Sequence, residues 1–150
     1  MNSTEVMKLL IINGPNLNLI LERDKSYYGD KDIESIKNEL IHFFPEVGIT
    51  FLTSNSEYEI IERIQKANRQ YDGLIINPGA LSHTSIGIRD ALELCKIPKI
   101  EVHLSNLATR DEFRKVSLTA SKCDGYISGF KNQSYLGAVF LICELIKNLK

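Results

Sequence analysis

The sequence predicts a three-layer α/β protein, with helices on both faces of a five-stranded parallel sheet. Five short apolar runs alternate with segments whose apolar residues recur every three or four positions. No internal repeat or low-complexity tract interrupts this alternation, and 150 residues are enough for one domain with a sizeable core. Because strand–helix–strand units build parallel sheets through right-handed crossovers, we expect a flavodoxin-like arrangement.

The five strands are predicted from apolar runs that end at turn residues. They cover residues 8–13, 49–53, 74–76, 99–104 and 125–129. The third strand runs into Pro78 and Gly79; proline lacks the N–H that a sheet needs, and glycine tolerates a positive φ. The first strand ends similarly, at Gly14 and Pro15. These turns lie at the carboxyl ends of strands, where open α/β sheets bind ligands.

Apolar spacing predicts helices over residues 33–44 and about 132–149, the latter burying Leu149 near its end. Capping residues locate the other helices. Ser56 and Thr109 each precede a glutamate by three positions, which is the capping-box pattern. Ser82 is predicted to cap the helix that follows the third strand.

Residues 16–29 are predicted to form a loop of about fourteen residues after the first strand. Loops of this length in a compact domain are commonly lids or binding loops. This one contains Arg23 and the pair Tyr27-Tyr28, so it is a candidate part of a ligand site.

Charge and apolar content exclude several classes of function. The net charge of −1 gives no electrostatic reason to expect nucleic acid or an anionic membrane as a partner. No apolar run is long enough for a signal peptide or a membrane span, so we expect a cytoplasmic protein. Residues 1–150 are expected to form one domain, with residues 1–7 as a flexible extension. The three cysteines lie in or beside apolar stretches and are expected to be reduced core thiols.

The fourth strand carries an unusual polar pattern. Glu101, His103 and Ser105 alternate with apolar residues and therefore share one face. A parallel strand covered on both faces should be apolar on both, and a buried Glu and His must be paired. Two interpretations remain. The residues form a structural pair or the wet face of an edge strand, or a carboxylate orients an imidazole that acts as a general acid.

Polar residues also follow the other strands at the same edge of the predicted sheet. Asn16 and Arg23 follow the first strand, Asn77 and His83 follow the third, and Arg114 lies one short helix after the fourth. Because the carboxyl ends of parallel strands meet at one edge, these side chains are expected to converge with those of the fourth strand.

Other chemistries fit this set less well. The two histidines are twenty residues apart, which is poor spacing for a metal site with Glu101, so no metal is expected. The sequence has no G-x-G-x-x-G, no P-loop and no G-x-S-x-G turn. No lysine is expected at the site in a position suited to a Schiff base.

Five motifs closely resemble those of type II 3-dehydroquinate dehydratases. They are Asn13-Gly14-Pro15-Asn16-Leu17-Asn18-Leu19, Arg23 with Tyr28-Gly29, Asn77-Pro78-Gly79-Ala80-x-x-His83-Thr84-Ser85, Glu101-Val102-His103-Leu104-Ser105-Asn106, and Arg110-x-x-Phe113-Arg114. They occur in order, with compatible spacing, from about residue 8 to the end of the chain.

The resemblance implies a dehydration of 3-dehydroquinate to 3-dehydroshikimate, by anti elimination through an enolate and without a cofactor. Tyr28 would be the base on the carbon next to the ketone, and Arg23 would favour its tyrosinate form. His103 would protonate the leaving hydroxyl while Glu101 holds its ring. Asn16 would position the water or donor that stabilises the enolate oxygen.

The resemblance also implies a set of substrate-binding residues. These are Asn77, His83, Ser105, the backbone at Leu104, Arg114, and Asp90, which matches a position that contacts substrate from a neighbouring subunit. The family forms dodecamers built as tetramers of trimers, so a homo-oligomer is expected. Both a biosynthetic role in the shikimate pathway and a catabolic role in quinate breakdown stay open.

The segment around Arg23 departs from the family pattern. It usually reads Leu-Gly-x-Arg-Glu-Pro, whereas here Leu21 and Lys25 replace the glycine and the proline. The sequence therefore does not predict whether this segment closes over a bound ligand. Two other functions are weighed against the enzyme: an inactive module that binds small anions on the same fold, and a hydrolase or metal-dependent enzyme.

Overall fold

A computed structural model describes residues 5–150 of the chain and has one five-stranded parallel sheet. The strands are β1 (Lys8–Asn13), β2 (Gly48–Thr53), β3 (Gly73–Asn77), β4 (Lys99–His103) and β5 (Gly125–Ser128). Their order in the sheet is β2-β1-β3-β4-β5, which is the flavodoxin-like order. The predicted fold class is therefore confirmed. The extension predicted for residues 1–7 stays a prediction, and its first four residues lie outside the described part of the chain.

Helices cover both faces of this sheet. They are α1 (Lys25–Tyr28), α2 (Ile33–Phe43), α3 (Glu57–Gln70), α4 (Ile86–Leu94) and α5 (Gln133–Leu149). Successive residues of β1 point to opposite faces: Leu9 packs in the cluster formed with α2 and α5, and Leu10 in the cluster formed with α3 and α4. The two clusters make the three layers expected from the sequence.

β4 lies inside the sheet, between β3 and β5, so the edge-strand interpretation of its polar residues is wrong. Glu101 is fully buried and His103 is only 5% exposed. Burying ionisable side chains in this way is costly unless each finds a partner. Their partners therefore decide what this strand does.

The prediction that Ser82 caps α4 is wrong. Gly79–His83 instead form a 3₁₀ turn, in which the Ser82 hydroxyl donates to the Gly79 carbonyl over 2.9 Å. The helix begins three residues later, where the Ser85 hydroxyl accepts from the Ile88 N–H. Several residues here carry a hydroxyl that could cap the helix. Ser82 bonds within the 3₁₀ turn instead, and Ser85 is the cap.

The Thr109 capping box is also wrong. Two separate 3₁₀ turns, Leu107–Thr109 and Glu112–Arg114, replace the predicted helix, and Asn106 caps the first of them. The Thr109 hydroxyl donates back to the Asn106 carbonyl. The other capping box is half correct. Ser56 caps α3 as predicted, but the Glu59 carboxylate accepts from the Ser54 hydroxyl rather than from the cap residue.

Residues 16–29 are more ordered than the predicted loop. They form a 3₁₀ segment, Leu17–Glu22, followed by the single turn of α1. Leu17 and Ile20 are buried in the core, and this burial fixes the path of the segment. α1 ends at Gly29, whose φ of 81° lies in the region that favours glycine.

The apolar face of α5 ends earlier than predicted. Leu149 is 74% exposed, whereas Ile142, Cys143 and Ile146 are buried. All three cysteines are free thiols, and burial raises the pKa of each. Among the described residues, no helix has both the length and the apolar character needed to cross a bilayer.

The turns after β1 and β3 touch at Gly14, which predicts a strong effect of substitution there. A Cβ added to Gly14 would lie 2.7 Å from the carbonyl carbon of Pro78 and closer still to its oxygen, and backbone cannot move aside cheaply. We expect Gly14→Ala to lower the free energy of unfolding by about 3 kcal/mol. Urea denaturation measures this change.

Gly137→Ala is the matched control. A Cβ at Gly137 meets only the tip of Ile127 at 3.7 Å, and alanine is the better helix former, so this variant should be neutral or stabilised. Equal stability of Gly14→Ala and the wild type would show that the two turns can separate without cost.

Candidate active site

A pocket opens at the carboxyl ends of β3 and β4. Eight of the residues predicted for the site line it, namely Arg23, Tyr28, Asn77, His83, His103, Leu104, Ser105 and Arg114. The pocket lies at the edge of the sheet where the sequence placed it.

Glu101 and His103 form a buried pair at one side of this pocket. The distance from His103 Nε2 to Glu101 Oε2 is 2.9 Å. A carboxylate can only accept, so Nε2 carries the hydrogen and Nδ1 is left as the ring nitrogen available to a ligand. The Glu101 carboxylate also accepts from the hydroxyls of Ser117, over 3.0 Å, and Thr119. Sequence reasoning missed these last two residues.

Two arginines converge on the phenol oxygen of Tyr28. Arg23 Nη2 donates to this oxygen, and Arg110 Nη1 donates to it over 2.7 Å. Tyr28 lies on α1 and is mostly buried, so the charges of both guanidinium groups act at short range with little screening. Such an arrangement stabilises negative charge on the phenol oxygen.

Arg110 was not predicted as a site residue, although it belongs to a motif that was recognised. Its Nη1 also donates to Ser105 Oγ over 3.1 Å, so it links the end of β4 to Tyr28. The only sequence signal for this role was its place in Arg110-x-x-Phe113-Arg114.

Three guanidinium groups make this pocket positively charged. Desolvation by burial is the largest cause that lowers the pKa of Arg23, and the charges of Arg114 and Arg110 lower it further, while Tyr28 opposes them. An arginine stays protonated in spite of such a shift. The Nε of Arg114 is buried and makes no hydrogen bond in the described part of the chain, although Asp111 Oδ2 lies 3.5 Å from it as an ion-pair partner. A buried donor without a hydrogen bond, beside other cations, suits an anionic ligand.

His83 is fixed by the backbone opposite it. Its Nδ1 donates to the Val116 carbonyl over 2.7 Å, which leaves Nε2 as the other polar atom of the ring. The rings of His83 and His103 stack, with centroids 6.4 Å apart and planes 24° from parallel. The two imidazoles therefore form one wall of the pocket.

Both polar atoms of the Asn77 side chain are hydrogen-bonded within the protein. Its Nδ2 donates to Tyr135 Oη over 3.0 Å, its Oδ1 accepts from the Gly79 N–H, and Tyr135 Oη donates in turn to Asn13 Oδ1 over 2.5 Å. Burial raises the pKa of Tyr135, so its phenol stays a donor. This network ties β1, β3 and α5 together beneath the pocket.

Three predicted residues do not line the pocket, namely Glu101, whose contacts are given above, Asn16 and Asp90. Asn16 is exposed with a φ of 67°, and its backbone N–H donates to Asn55 Oδ1 over 2.9 Å. Asp90 is exposed on α4, where its carboxylate accepts from Arg89. Their roles stay predictions. Within residues 5–150, no group of three or more His, Cys, Asp or Glu side chains could hold a metal ion.

Comparison with known proteins gives consistent matches along the chain. Residues 7–143 match the sequence model of the family described as Dehydroquinase class II. The chain is 44% identical to a 3-dehydroquinate dehydratase of Thermotoga petrophila over 145 residues, which cover 95% of this chain and 99% of that protein. It is 49% identical to a 3-dehydroquinate dehydratase of Lachnoclostridium phytofermentans over 142 residues, covering 93% of this chain and 98% of the other.

A solved structure agrees with these matches. The crystal structure of a type II dehydroquinase from Butyrivibrio crossotus superposes on this fold with a TM-score of 0.87 at 41% sequence identity. The superposition covers 91% of this chain and 97% of the other.

Proposed function

The chain belongs to the class II dehydroquinase family, and from this premise we propose that its pocket dehydrates 3-dehydroquinate to 3-dehydroshikimate. Water leaves across two neighbouring carbons: one loses a proton and the other loses its hydroxyl, so that a double bond forms beside the ketone. The pocket must therefore supply a base, an acid and a stabiliser for the enolate formed between the two steps.

The two arginines on Tyr28 are the observation that carries this proposal. A phenol is a base only as its anion, and Arg23 and Arg110 both donate to the oxygen that would bear the charge. In that form Tyr28 takes the proton from the carbon next to the ketone. Because the oxygen lies in a pocket with the charge already compensated, little reorganisation is needed when the proton moves.

His103 supplies the proton for the leaving hydroxyl. Its Nε2 is engaged by Glu101, so Nδ1 is the nitrogen that donates when the ring is an imidazolium. The hydroxyl leaves as water, and the Glu101 carboxylate stabilises the cationic ring before the transfer. Base and acid belong to different elements, α1 and β4, which suits an anti elimination in which they act on opposite faces of the substrate.

Arg114 is proposed to bind the substrate carboxylate. Its buried Nε makes no hydrogen bond within the described residues and has only Asp111 Oδ2, at 3.5 Å, as an ion-pair partner, so an anionic ligand could supply the hydrogen bond. His83, Ser105, the Leu104 backbone and Asn77 are proposed to orient the hydroxyls. Asn16 is proposed to position the donor for the enolate oxygen, and Asp90 to reach the substrate of a neighbouring subunit.

The remaining proposals concern the enzyme as a whole. We propose a single domain that works without a cofactor, in the cytoplasm, as a dodecamer of four trimers. The inactive anion-binding module is the second candidate. An inactive module would be expected to lack at least one of Tyr28, Arg23 and His103, but all three are present.

An ultraviolet assay of the purified protein with 3-dehydroquinate tests the proposal. The product carries a conjugated enone, so we expect absorbance to rise at the same rate with and without EDTA. Borohydride treatment in the presence of substrate should leave the activity intact, because no lysine Schiff base forms. Turnover lost to EDTA would support the metal-dependent alternative, and binding without turnover would support the inactive module.

A further inference from the structure

We infer that Ser117 and Thr119 are positioning residues that hold the Glu101 carboxylate in place and, through it, orient His103. This inference rests on the proposed function, since it assigns these two hydroxyls to the acid half of the reaction. Neither residue lines the pocket, and neither belongs to the motifs that the sequence analysis recognised.

The first step is the burial of Glu101. Its side chain is fully buried inside the sheet, where an isolated carboxylate is costly and would take up a proton instead. His103 donates only one hydrogen bond to this carboxylate, from its Nε2 to Oε2. Oε1 has Thr119 Oγ1 as its partner, and Oε2 has Ser117 Oγ as a second one, at 3.0 Å. The two hydroxyls therefore complete the shell of the carboxylate.

The second step is that the direction of one hydroxyl is fixed by the backbone. Ser117 Oγ accepts from the Ala120 N–H over 3.1 Å, so its own hydrogen is free to point at Glu101. Thr119 is fully buried, and the turn Ala120–Lys122 starts directly after it, with the Lys122 N–H donating to the Thr119 carbonyl. Backbone contacts thus fix the positions of the two hydroxyl donors around the carboxylate.

The third step is that the same segment holds the other histidine. The Val116 carbonyl accepts from His83 Nδ1, and the Leu118 N–H donates to the Ser82 carbonyl over 2.8 Å. Hydrogen bonds from residues 116–119 thus go alternately to the turn after β3 and to the Glu101 carboxylate on β4. This segment, which we call the clamp, sets both imidazoles of the pocket wall relative to each other.

The chemical consequence concerns the acid. A protonated Glu101 would be neutral and would no longer stabilise an imidazolium at His103. Hydroxyls that donate to the carboxylate favour its charged form, as hydrogen bonds to any anion do. Removal of the clamp hydroxyls should therefore weaken the hold of Glu101 on the His103 ring that delivers the proton, without altering any group that binds substrate.

Thr119→Val tests this directly, because it removes the hydroxyl and keeps the shape of the side chain. We expect kcat to fall by about 10- to 100-fold, which is less than the fall expected when a general acid is removed altogether. KM should change by less than about twofold. Thr119→Ser keeps the hydroxyl and should restore most of the rate. Thr50→Val, at an exposed position of β2, is the matched control and should leave kcat unchanged.

The second measurement is independent of turnover. The chain has three histidines, so the imidazole ¹⁵N signals can be assigned by substitution. His42 is exposed and serves as the internal reference. In the wild type we expect His103 to show the signals of a ring whose Nε2–H donates to a carboxylate. In Thr119→Val and in Ser117→Ala these signals should move toward those of His42.

The outcomes separate the two proposals. Unchanged His103 signals and unchanged kcat in both variants would overturn the role of the clamp. A parallel fall in kcat and thermal stability, with no rescue by Thr119→Ser, would assign Thr119 to packing alone and would also overturn it. Absence of turnover in the wild type would overturn the proposed function, while the ¹⁵N signals would still report on the clamp.

Discussion

Tyr28→Phe is expected to lower kcat by about 10³-fold, because it removes the oxygen that we propose takes the proton. The substitution deletes a single atom, and both Arg23 and Arg110 lose their shared acceptor. KM should change far less, since the arginines remain in the pocket and still attract an anion. Steady-state kinetics by the enone absorbance, together with a urea denaturation curve for each variant, measure both effects.

Tyr27→Phe is the control for this experiment. The two tyrosines are neighbours, with ring centroids 6.4 Å apart, but only Tyr28 has its oxygen bonded to the arginines. Arg110 lies over the ring of Tyr27, and phenylalanine retains that contact. We expect near-normal turnover for Tyr27→Phe. The reverse pattern, with Tyr28→Phe active and Tyr27→Phe inactive, would move the base to the other tyrosine.

His103→Ala is expected to lower kcat by about 10²- to 10⁴-fold, because no other group replaces the acid. It should also destabilise the fold, since it leaves the buried Glu101 carboxylate with one partner fewer. A double variant, Glu101→Gln with His103→Ala, should recover part of that stability without recovering activity. Chemical denaturation and initial rates, measured on the same samples, separate the two effects.

His42→Ala is the control, because His42 is exposed on α2 and does not line the pocket. Turnover of His103→Ala within about tenfold of the wild type would be too high for loss of a general acid. The proton would then have to come from another group, and His83, which stacks on His103, would be the first to test.

The sheet and the acid pair could be predicted because each depends on a simple period. Apolar runs alternating with helical spacing predicted all five strands, and a polar residue at every second position of β4 indicated that Glu101 and His103 share a face. These regularities come from backbone geometry, which the sequence displays directly. The caps were harder, because Ser82 and Ser85 both satisfy the local pattern and only the turn between them decides.

The supporting contacts could not be predicted because they join distant segments. Ser117 and Thr119 reach Glu101 across more than fifteen positions of chain, and no local pattern marks them. The same holds for Arg110, whose bond to Tyr28 spans 82 positions. Sequence alone thus indicated which groups could react, whereas the groups that orient them became visible only in three dimensions.

The placement of Tyr28 on α1 has a consequence for how the site can open. A four-residue helix is too short to be stable by itself, so it depends on the docking of Leu17 and Ile20 beside it. His103, by contrast, belongs to β4, which is paired with a strand on each side, so we expect its exposure to require the opening of a larger part of the fold. We therefore expect the two halves of the site to have different opening free energies. Local opening would move Tyr28 away from the pocket, while Glu101 and His103 stay folded.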